Sequence, residues 1–315
     1  MPSQRGKLKQ GVKAGAGKGR ASFVWICKLL IPASFVVTVL QWAGLLHWLE
    51  TALAPLMTLI NLPGEAALPI ISGMIMGNYV TIAILSVLPF SMAQIIMISI
   101  FSMIAHNLVI EGIIQHNSGM NVIKITVIRI VTACLTVLIL SHLFTDTSAS
   151  ITLPADFYAA VPFTALLGSW AVSTGLLLLK ILGIIMGIMI LLEVFKVMGW
   201  VEKIIKTLRP LMRVLGLSER SSALWVTTSV FGLMLGGVVI MEEAEKSSLN
   251  KEDLQRLHIS IGINHSMVED PLLFMALGIN GVWLWVPKFV AGIAVVQLYR
   301  GVGYLKRKLK RTASE

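Results

Sequence analysis

Residues 100–129, IFSMIAHNLVIEGIIQHNSGMNVIKITVIR, recur in altered form at residues 259–288, ISIGINHSMVEDPLLFMALGINGVWLWVPK. A constant offset of 159 places His265 on His106 and Asp270 on Glu111. Upstream, LAPLM at 53–57 recurs as LRPLM at 208–212 with an offset of 155. Repeats of this length exceed the units of solenoid proteins, so the pattern predicts a duplicated fold.

The composition is that of a membrane protein. Hydrophobic residues make up 56% of the chain and charged residues 13%, whereas a soluble domain has about a quarter charged residues. Apolar stretches long enough to cross the roughly 30 Å hydrocarbon core recur between residues 23 and 304. We therefore predict an all-α, polytopic integral membrane protein built from two inverted repeats, each with an interfacial helix, a re-entrant helical hairpin and transmembrane helices.

The net charge of +10 resides mainly at the two ends of the chain. These basic segments flank apolar helices, which predicts cytoplasmic anchoring against anionic lipid and no binding of nucleic acid. Residues 1–21 are predicted to be disordered because of their Gly and Lys content. Cys27 and Cys134 lie inside apolar helices, so neither a disulfide framework nor a thiol metal cluster is expected.

The predicted organisation is a basic cytoplasmic tail (1–21), a first repeat (22–145), a connecting outer segment (146–171), an inverted second repeat (172–305) and a basic cytoplasmic tail (306–315). Inversion follows from charge: segment 50–65 has no Lys or Arg, whereas segment 203–220 has five. The positive-inside rule places the first outside and the second inside. Lys124 and Arg129, which have no cationic counterpart at 276–287, are interpreted in the same way.

Each repeat must cross the membrane an odd number of times, because its two ends carry opposite charge patterns. One apolar stretch in each repeat must then enter and turn back, and the best candidates are the glycine-interrupted stretches 66–90 and 221–241. The alternative is that both are complete helices whose glycines permit close packing. The first helix is predicted at 23–49. Residues 157–171 form either an outer surface helix or the start of a long helix that continues to 200.

The third apolar stretch of each repeat carries titratable and polar side chains, which are expensive inside a membrane and usually face the bundle interior or a pathway. In the first repeat they are His106, Asn107 and Glu111, and in the second Asn264, His265, Ser266, Glu269 and Asp270. The hairpin tips add Asn78, Thr228 and Ser229. His265 and Glu269 are predicted to share a helical face, whereas Glu111 shares a face with His106 only if the helix is unwound. Pro271 predicts a break near Asp270.

Three interpretations of these residues are open. They line a midplane substrate site, as in secondary transporters built from inverted repeats and broken helices. Alternatively, the imidazoles and carboxylates hold a divalent metal, or they only join the two repeats by hydrogen bonds. No spacing matches a catalytic signature, so an enzyme is not predicted and no cofactor is expected.

The paired motifs HNLVIEG and HSMVEDP, the glycine-rich hairpins and the PLM segments resemble the Gate, or nucleoside recognition, domain. That domain occurs in concentrative nucleoside transporters, in the membrane part of ferrous-iron transporters and in spore maturation proteins A and B. The chain resembles the two spore maturation proteins joined end to end. The resemblance implies an inverted-repeat core whose hairpin tips, with the paired histidines and acids, face a central site.

The function expected from the sequence is transport of a small polar or ionic solute through this midplane site. The alternative is a non-transporting interaction or maturation factor that uses the same core to bind a partner. The expected location is the bacterial inner (cytoplasmic) membrane, with both termini cytoplasmic and six crossings plus two hairpins. The expected partners are a small solute or ion and the lipid bilayer, and a homo-oligomer is left open.

Overall fold

The computed structural model describes residues 4–145, 147–148, 162–200, 203–204, 206–207, 212, 214–245 and 250–312. Within these ranges the chain is helical and has no β-strand, which confirms the predicted all-α class. The helices are α1 (Gln4–Trp42), α2 (Leu46–Thr58), α3 (Ala67–Met76), α4 (Asn78–Leu85), α5 (Met92–Ala105), α6 (Leu108–Asn117), α7 (Val122–Ser141), α8 (Phe163–Val197), α9 (Glu219–Glu245), α10 (Lys251–Asn264), α11 (Glu269–Phe274) and α12 (Gly281–Thr312).

Five segments of the described chain are long and apolar enough to cross a membrane, and they confirm a polytopic membrane protein. They are Gln4–Trp42, Met92–Asn117, Val122–Ser141, Phe163–Val197 and Gly281–Leu309. Six crossings are expected from the sequence. The remaining candidate is α10 with α11, at the repeat position of α5 with α6, but its start, KEDLQRLH, is too polar to qualify by composition.

The first helices of the two repeats run antiparallel along their whole length. At one end Gly11 lies against Val194, and at the other the rings of Trp42 and Phe163 are 5.1 Å apart. The helices α7 and α12 also run antiparallel, since Lys124 bonds Tyr299 near one end while the rings of Phe144 and Trp283 are 4.8 Å apart near the other. Equivalent helices that run in opposite directions are the geometry of an inverted repeat.

Equivalent residues meet at the centre of the molecule. His106 Nε2 and His265 Nε2 are 3.2 Å apart, although 159 positions separate them. Two copies of one residue can touch only close to the rotation axis that relates their surroundings. A pseudo-twofold axis therefore passes between these two histidines, and α5 and α10 approach it from opposite ends.

The first glycine-rich stretch folds back on itself at Gly77. Its backbone lies at φ +93°, ψ 176°, and Thr81 Oγ1 on α4 donates to Pro69 O on α3 at 3.1 Å. In the copy, α9 is interrupted at Gly232 with nearly the same dihedrals, φ +78° and ψ 168°. This region of backbone conformation is accessible essentially only to glycine. Both stretches are therefore broken at equivalent glycines, and neither is a straight spanning helix.

The N-terminal prediction is wrong in one respect: residues 4–21 are not disordered but form the first half of α1. Gly11, Gly15 and Gly19, one turn apart, lie against α8, and a Cβ at Gly15 would be 2.4 Å from Ile190 Cα. Small residues at this spacing let two helix backbones approach closely. The 39 residues of α1 extend about 58 Å, so this basic half projects beyond a hydrocarbon core of about 30 Å.

Two further boundaries differ from the sequence expectation or decide between its alternatives. The first helix ends at Trp42, because Gly44 adopts φ +69° and leads directly into α2. Phe163–Val197 is one helix, so the end of segment 157–171 begins a long helix and not a separate surface helix. Residue 146 and residues 149–161 of the predicted connecting segment lie outside the described residues, as does most of the LRPLM copy.

Candidate functional site

Two broken helices build the centre of the molecule. α5 ends at Ala105, and His106 is extended while Asn107 adopts φ +49° before α6 begins. α10 ends at Asn264, His265 is extended and Ser266 adopts φ +50°. The two breaks occupy the same position in the repeat, and each one directs its histidine toward the axis.

Four side chains from the two repeats converge at this point. Glu111 Oε1 lies 3.2 Å from His106 Nε2 and 3.1 Å from His265 Nε2. Asp270 Oδ2 lies 3.8 Å from His106 Nε2. All four residues are buried, and His265 has no exposed surface. We call His106, Glu111, His265 and Asp270 the central cluster.

Each broken helix is capped by a cation from the helix that follows it. The Arg129 guanidinium on α7 donates to Ile104 O at 2.9 Å and to His106 O at 2.8 Å. Lys288 on α12 donates to His265 O at 2.9 Å. The last carbonyls of a helix have no intrahelical donor, and cations near a helix C-terminus interact favourably with its dipole. These two buried cations therefore stabilise the breaks.

The same cations face the acids of the cluster. Arg129 Nη1 is 2.7 Å from Glu111 Oε2, which turns the other carboxylate oxygen toward the histidines. Lys288 Nζ is 4.0 Å from Asp270 Oδ2, too far for a hydrogen bond. The Oδ2 atom of Asp270 is buried and has no hydrogen-bond donor in the described part of the chain.

The hairpins hold the breaks in place through the backbone. Asn107 N donates to Gly73 O at 3.1 Å, and in the second repeat Ser266 N donates to Thr228 O at 3.4 Å. A Cβ at Gly77 would lie 3.1 Å from Asn107 Nδ2, and a Cβ at Gly232 would lie 3.1 Å from Ser266 Oγ. The glycines thus let each hairpin tip pack directly on the unwound residues.

The first hairpin also contributes side chains to the cluster. Asn78 Nδ2 lies 3.2 Å from His106 Nδ1, and Ser102 Oγ donates to Asn78 Oδ1 at 2.8 Å. Tyr79 donates its hydroxyl proton to Glu269 of the other repeat. The hairpin of the first repeat is therefore bonded to both repeats.

Comparison with known proteins finds one match to a family model and one similar membrane protein. Residues 178–269 match a family model described as Gate, nucleoside recognition. Over these residues the chain is similar to the Gate domain. The uncharacterized membrane protein YvoD of Bacillus subtilis (strain 168) is 26% identical over 309 residues, which cover 97% of this chain and 98% of that protein. No solved structure matches the chain significantly.

The matched range begins in α8 and ends at the first residue of α11. It therefore contains the glycine-broken α9, the break of α10 and His265. The first repeat lies outside the matched range and reproduces the same turns at the offsets found in the sequence. Gly44 and Gly199 both adopt φ +69°, and Gly119 and Gly278 adopt φ +97° and +92°.

The structure brings most of the sequence-predicted residues to the cluster or to its edge. His106, Glu111, His265 and Asp270 form it, Asn78 bonds His106, and Glu269 bonds Tyr79. Asn107 and Ser266 are the unwound residues that pack on the hairpin glycines.

Three predicted residues have their side chains elsewhere. Thr228 Oγ1 donates back to Leu224 O on its own helix at 2.6 Å, and Ser229 Oγ donates to Asn264 O at 3.1 Å. Asn264 is fully buried, and its amide packs against Gly292, where a Cβ would lie 1.9 Å from Nδ2. Only the Ser229 side chain bonds the end of α10, and none of the three joins the central cluster.

The predicted pairing of His265 with Glu269 on one helical face is wrong. The helix ends at Asn264, and the residues up to Val268 form a turn, so the two side chains belong to different elements. Pro271 lies six residues after His265, in the first turn of α11, where a helix tolerates proline. The unwinding between His106 and Glu111, which their spacing of five demands, is present.

Sequence reasoning did not assign Arg129, Lys288 or Ser102 to the site. Arg129 was interpreted as an orienting surface charge, yet it is 1% exposed and neutralises Glu111. A signal was available in the sequence, because Arg129 and Lys288 each follow their histidine by 23 residues inside an apolar helix. A cationic side chain that occurs at the same position of both repeats inside a membrane span requires a buried partner of opposite charge.

The donor set of the cluster is suited to a metal ion. His106, His265 and Asp270 each offer one ligand atom, and these atoms all lie within 4.8 Å of one another. The two cysteines, half-buried in α1 and α7, are not part of it.

Proposed function

We propose that this protein is a membrane transporter for a small polar or ionic solute, with its binding site at the central cluster. The observation that carries the proposal is the contact of His106 with His265 on the pseudo-twofold axis, surrounded by buried charges. Buried ionisable groups of this kind are costly in a membrane protein, and they commonly mark a solute or ion pathway.

The arrangement supports alternating access. Secondary transporters with inverted repeats bind their solute where the repeats meet and expose it to the two sides in turn. In this protein each hairpin rests on one unwound break through a backbone hydrogen bond, Asn107 N to Gly73 O in the first repeat and Ser266 N to Thr228 O in the second. Release of one hairpin opens the cluster to one side, and release of the other opens it to the opposite side.

The direction of insertion belongs to the same proposal. The chain lies in the bacterial cytoplasmic membrane with both termini on the cytoplasmic side, as its basic ends favour. The apolar helices indicate that the chain crosses a membrane several times. The proposal adds which membrane this is and on which side the termini lie.

The test is uptake into vesicles that contain the purified protein. Tritiated uridine, tritiated adenosine, Zn²⁺ and phosphate are offered separately, and we expect saturable uptake of at least one of them. Glu111→Gln removes one charge of the cluster and is expected to abolish that uptake. His142→Gln is the matched control, because His142 is exposed at the end of α7 and its ring bonds Leu138 O of the same helix.

Size-exclusion chromatography of each variant in detergent establishes that it is folded before uptake is measured. A folded wild-type protein that moves none of these solutes contradicts the proposal. If that protein also copurifies with a stoichiometric partner, the non-transporting interaction function replaces it.

A further inference from the structure

The central cluster has more hydrogen-bond acceptors than protons. His265 Nδ1 lies 2.8 Å from Ile261 O, and a carbonyl only accepts, so this nitrogen carries the proton of the neutral ring. The other nitrogen, Nε2, then presents a lone pair. It faces Glu111 Oε1 at 3.1 Å, which is also an acceptor.

The tautomer of His106 does not remove this deficit. Its Nδ1 lies 3.0 Å from Ser102 O and 3.2 Å from the Asn78 amide, so either ring nitrogen can carry the single proton. If that proton is on Nε2, a single N–H group is the only ring donor for three acceptors, which belong to His265, Glu111 and Asp270. Inside a membrane protein such unshared acceptors are unfavourable unless a cation lies between them.

The spacing of the acceptors is that of the ligands around one metal ion. Bonds of about 2.0–2.1 Å in tetrahedral geometry separate neighbouring ligand atoms by about 3.3–3.4 Å. Here Nε2 of His106 and Nε2 of His265 are 3.2 Å apart, and each lies within 3.2 Å of Glu111 Oε1. Asp270 Oδ2, the orphaned acceptor, lies 3.8 Å from His106 Nε2 and within 4.8 Å of the His265 ligand atom.

The surroundings of these atoms have the features of an outer ligand shell. Histidines that bind metals usually donate their other N–H to a carbonyl or carboxylate, which fixes the ring. Both histidines have a backbone carbonyl at Nδ1, Ile261 O and Ser102 O. Arg129 fixes the far oxygen of Glu111 at 2.7 Å and leaves Oε1 directed at the imidazoles.

The formal charges near the cluster favour a cation that is held and then released. Glu111 and Asp270 are opposed by Arg129 and Lys288, and Glu269 lies beside the cluster with its carboxylate bonded to Tyr79. A bound dication therefore meets only a small negative excess. Sites that pass ions onward need such moderate binding, since tight binding prevents release.

From this geometry we infer that the cluster binds one first-row transition-metal dication through His106 Nε2, His265 Nε2, Glu111 Oε1 and Asp270 Oδ2, and that this ion is the transported solute. The role as solute rests on the function proposed above, whereas the binding does not. Imidazole with carboxylate suits ions such as Zn²⁺, Co²⁺ and Fe²⁺, whereas Mg²⁺ and Ca²⁺ prefer oxygen ligands alone.

The binding test uses the full chain purified in detergent through a tag without histidines. Titration with Zn²⁺ is expected to show one saturable site per chain, which a large excess of Mg²⁺ does not displace. The Co²⁺ form is expected to show the visible absorption of a low-symmetry site. X-ray absorption of the Zn²⁺ form should show two imidazole nitrogens at about 2.0–2.1 Å with oxygen ligands completing the shell.

Variants assign the site. His265→Gln and His106→Gln are expected to abolish saturable binding, whereas His142→Gln binds like the wild type. If a cluster variant fails to fold, the ligand shell of the wild-type protein still decides. Absence of saturable Zn²⁺ binding to the wild type, a shell with fewer than two imidazoles, or unchanged binding by folded His265→Gln would each overturn the inference.

Binding and flux separate this inference from the proposed function. A protein that binds Zn²⁺ at the cluster but moves none of the offered solutes refutes the transport function and keeps the metal site. If it binds Zn²⁺ but moves only one of the other solutes, the metal ion is not the transported solute. Uptake of uridine, adenosine or phosphate by a protein that binds no Zn²⁺ refutes the metal site and keeps the transport function.

Discussion

The two halves of the central cluster share a backbone and differ in the side chains that hold it. α5 and α10 span the same 14 residues of the repeat, and each ends in an extended histidine followed by a residue with positive φ. The first half is nevertheless bonded more heavily: Arg129 makes two carbonyl bonds and a close ion pair, whereas Lys288 makes one carbonyl bond and a distant ion pair. Both repeats have the same break in the helix, but different side-chain contacts stabilise it.

The difference extends to the hairpins. Asn78 and Tyr79 in the first hairpin bond His106 and Glu269, whereas the sequence has Leu233 and Met234 at the equivalent positions. The first half is therefore expected to be the rigid part of the cluster and the second half the part that yields more easily.

The largest expected effect tests this comparison directly. Arg129→Met leaves Glu111 buried without its cation and should destabilise the protein by about 3–5 kcal/mol. Lys288→Met removes one hydrogen bond and a weak ion pair, and should cost about 1–3 kcal/mol. Heat unfolding in detergent, followed by size-exclusion chromatography, measures both. Equal losses would show that the two halves are supported equally.

The tyrosine that joins the repeats gives the next effect. Tyr79→Phe removes the hydroxyl that donates to Glu269 but keeps the ring packed at 5.3 Å from Trp25. A hydrogen bond to a charged group contributes about 1.5–3 kcal/mol, so the free energy of unfolding should fall by that amount. Tyr304→Phe is the control, because Tyr304 is exposed near the end of α12. A Tyr79→Phe variant as stable as this control would show that the hydrogen bond between the repeats does not contribute to stability.

The hairpin glycines should lose similar stability in both halves, because the backbone is shared. Gly77→Ala and Gly232→Ala place a Cβ on a backbone that only glycine adopts readily, and each should cost about 1–3 kcal/mol. Gly17→Ala is the control: Gly17 is helical and has open space around it, so alanine should be neutral or stabilising by about 0.5–1 kcal/mol. A large loss at only one hairpin would show that the two turns are not equivalent in the folded protein.

Much of this architecture was predictable because a duplication supplies an internal alignment. The offset of 159 aligned His106 with His265 and Glu111 with Asp270, and inversion then placed them near one axis. The position of the second break was not predictable from Pro271, since proline only marks where an amide is missing. The break lies at His265 and Ser266, where Lys288 and the hairpin satisfy the backbone.

Contacts between distant parts of the chain explain the other errors. Residues 4–21 have the composition of a disordered tail. Gly11, Gly15 and Gly19 nevertheless pack against α8. This packing stabilises a helix that the glycine content alone would disfavour. The sequence position of Arg129 indicates a charge that orients its helix in the membrane, whereas in the structure Arg129 forms an ion pair with Glu111. Neither contact can be derived from local sequence, because each depends on which helix lies opposite.

The smallest expected effect lies at the outer ends of the broken helices, where the two repeats should be most alike. Ser91 caps α5 by accepting from Gln94 N, and Asn250 caps α10 by accepting from Asp253 N at 2.8 Å. Removing such a cap costs about 1 kcal/mol, so Ser91→Ala and Asn250→Ala should lower stability by nearly the same amount. Both are measured by the same heat unfolding as the cluster variants. If the caps match while Arg129→Met and Lys288→Met differ, the asymmetry is confined to the centre, where Arg129 and Lys288 support the two breaks differently.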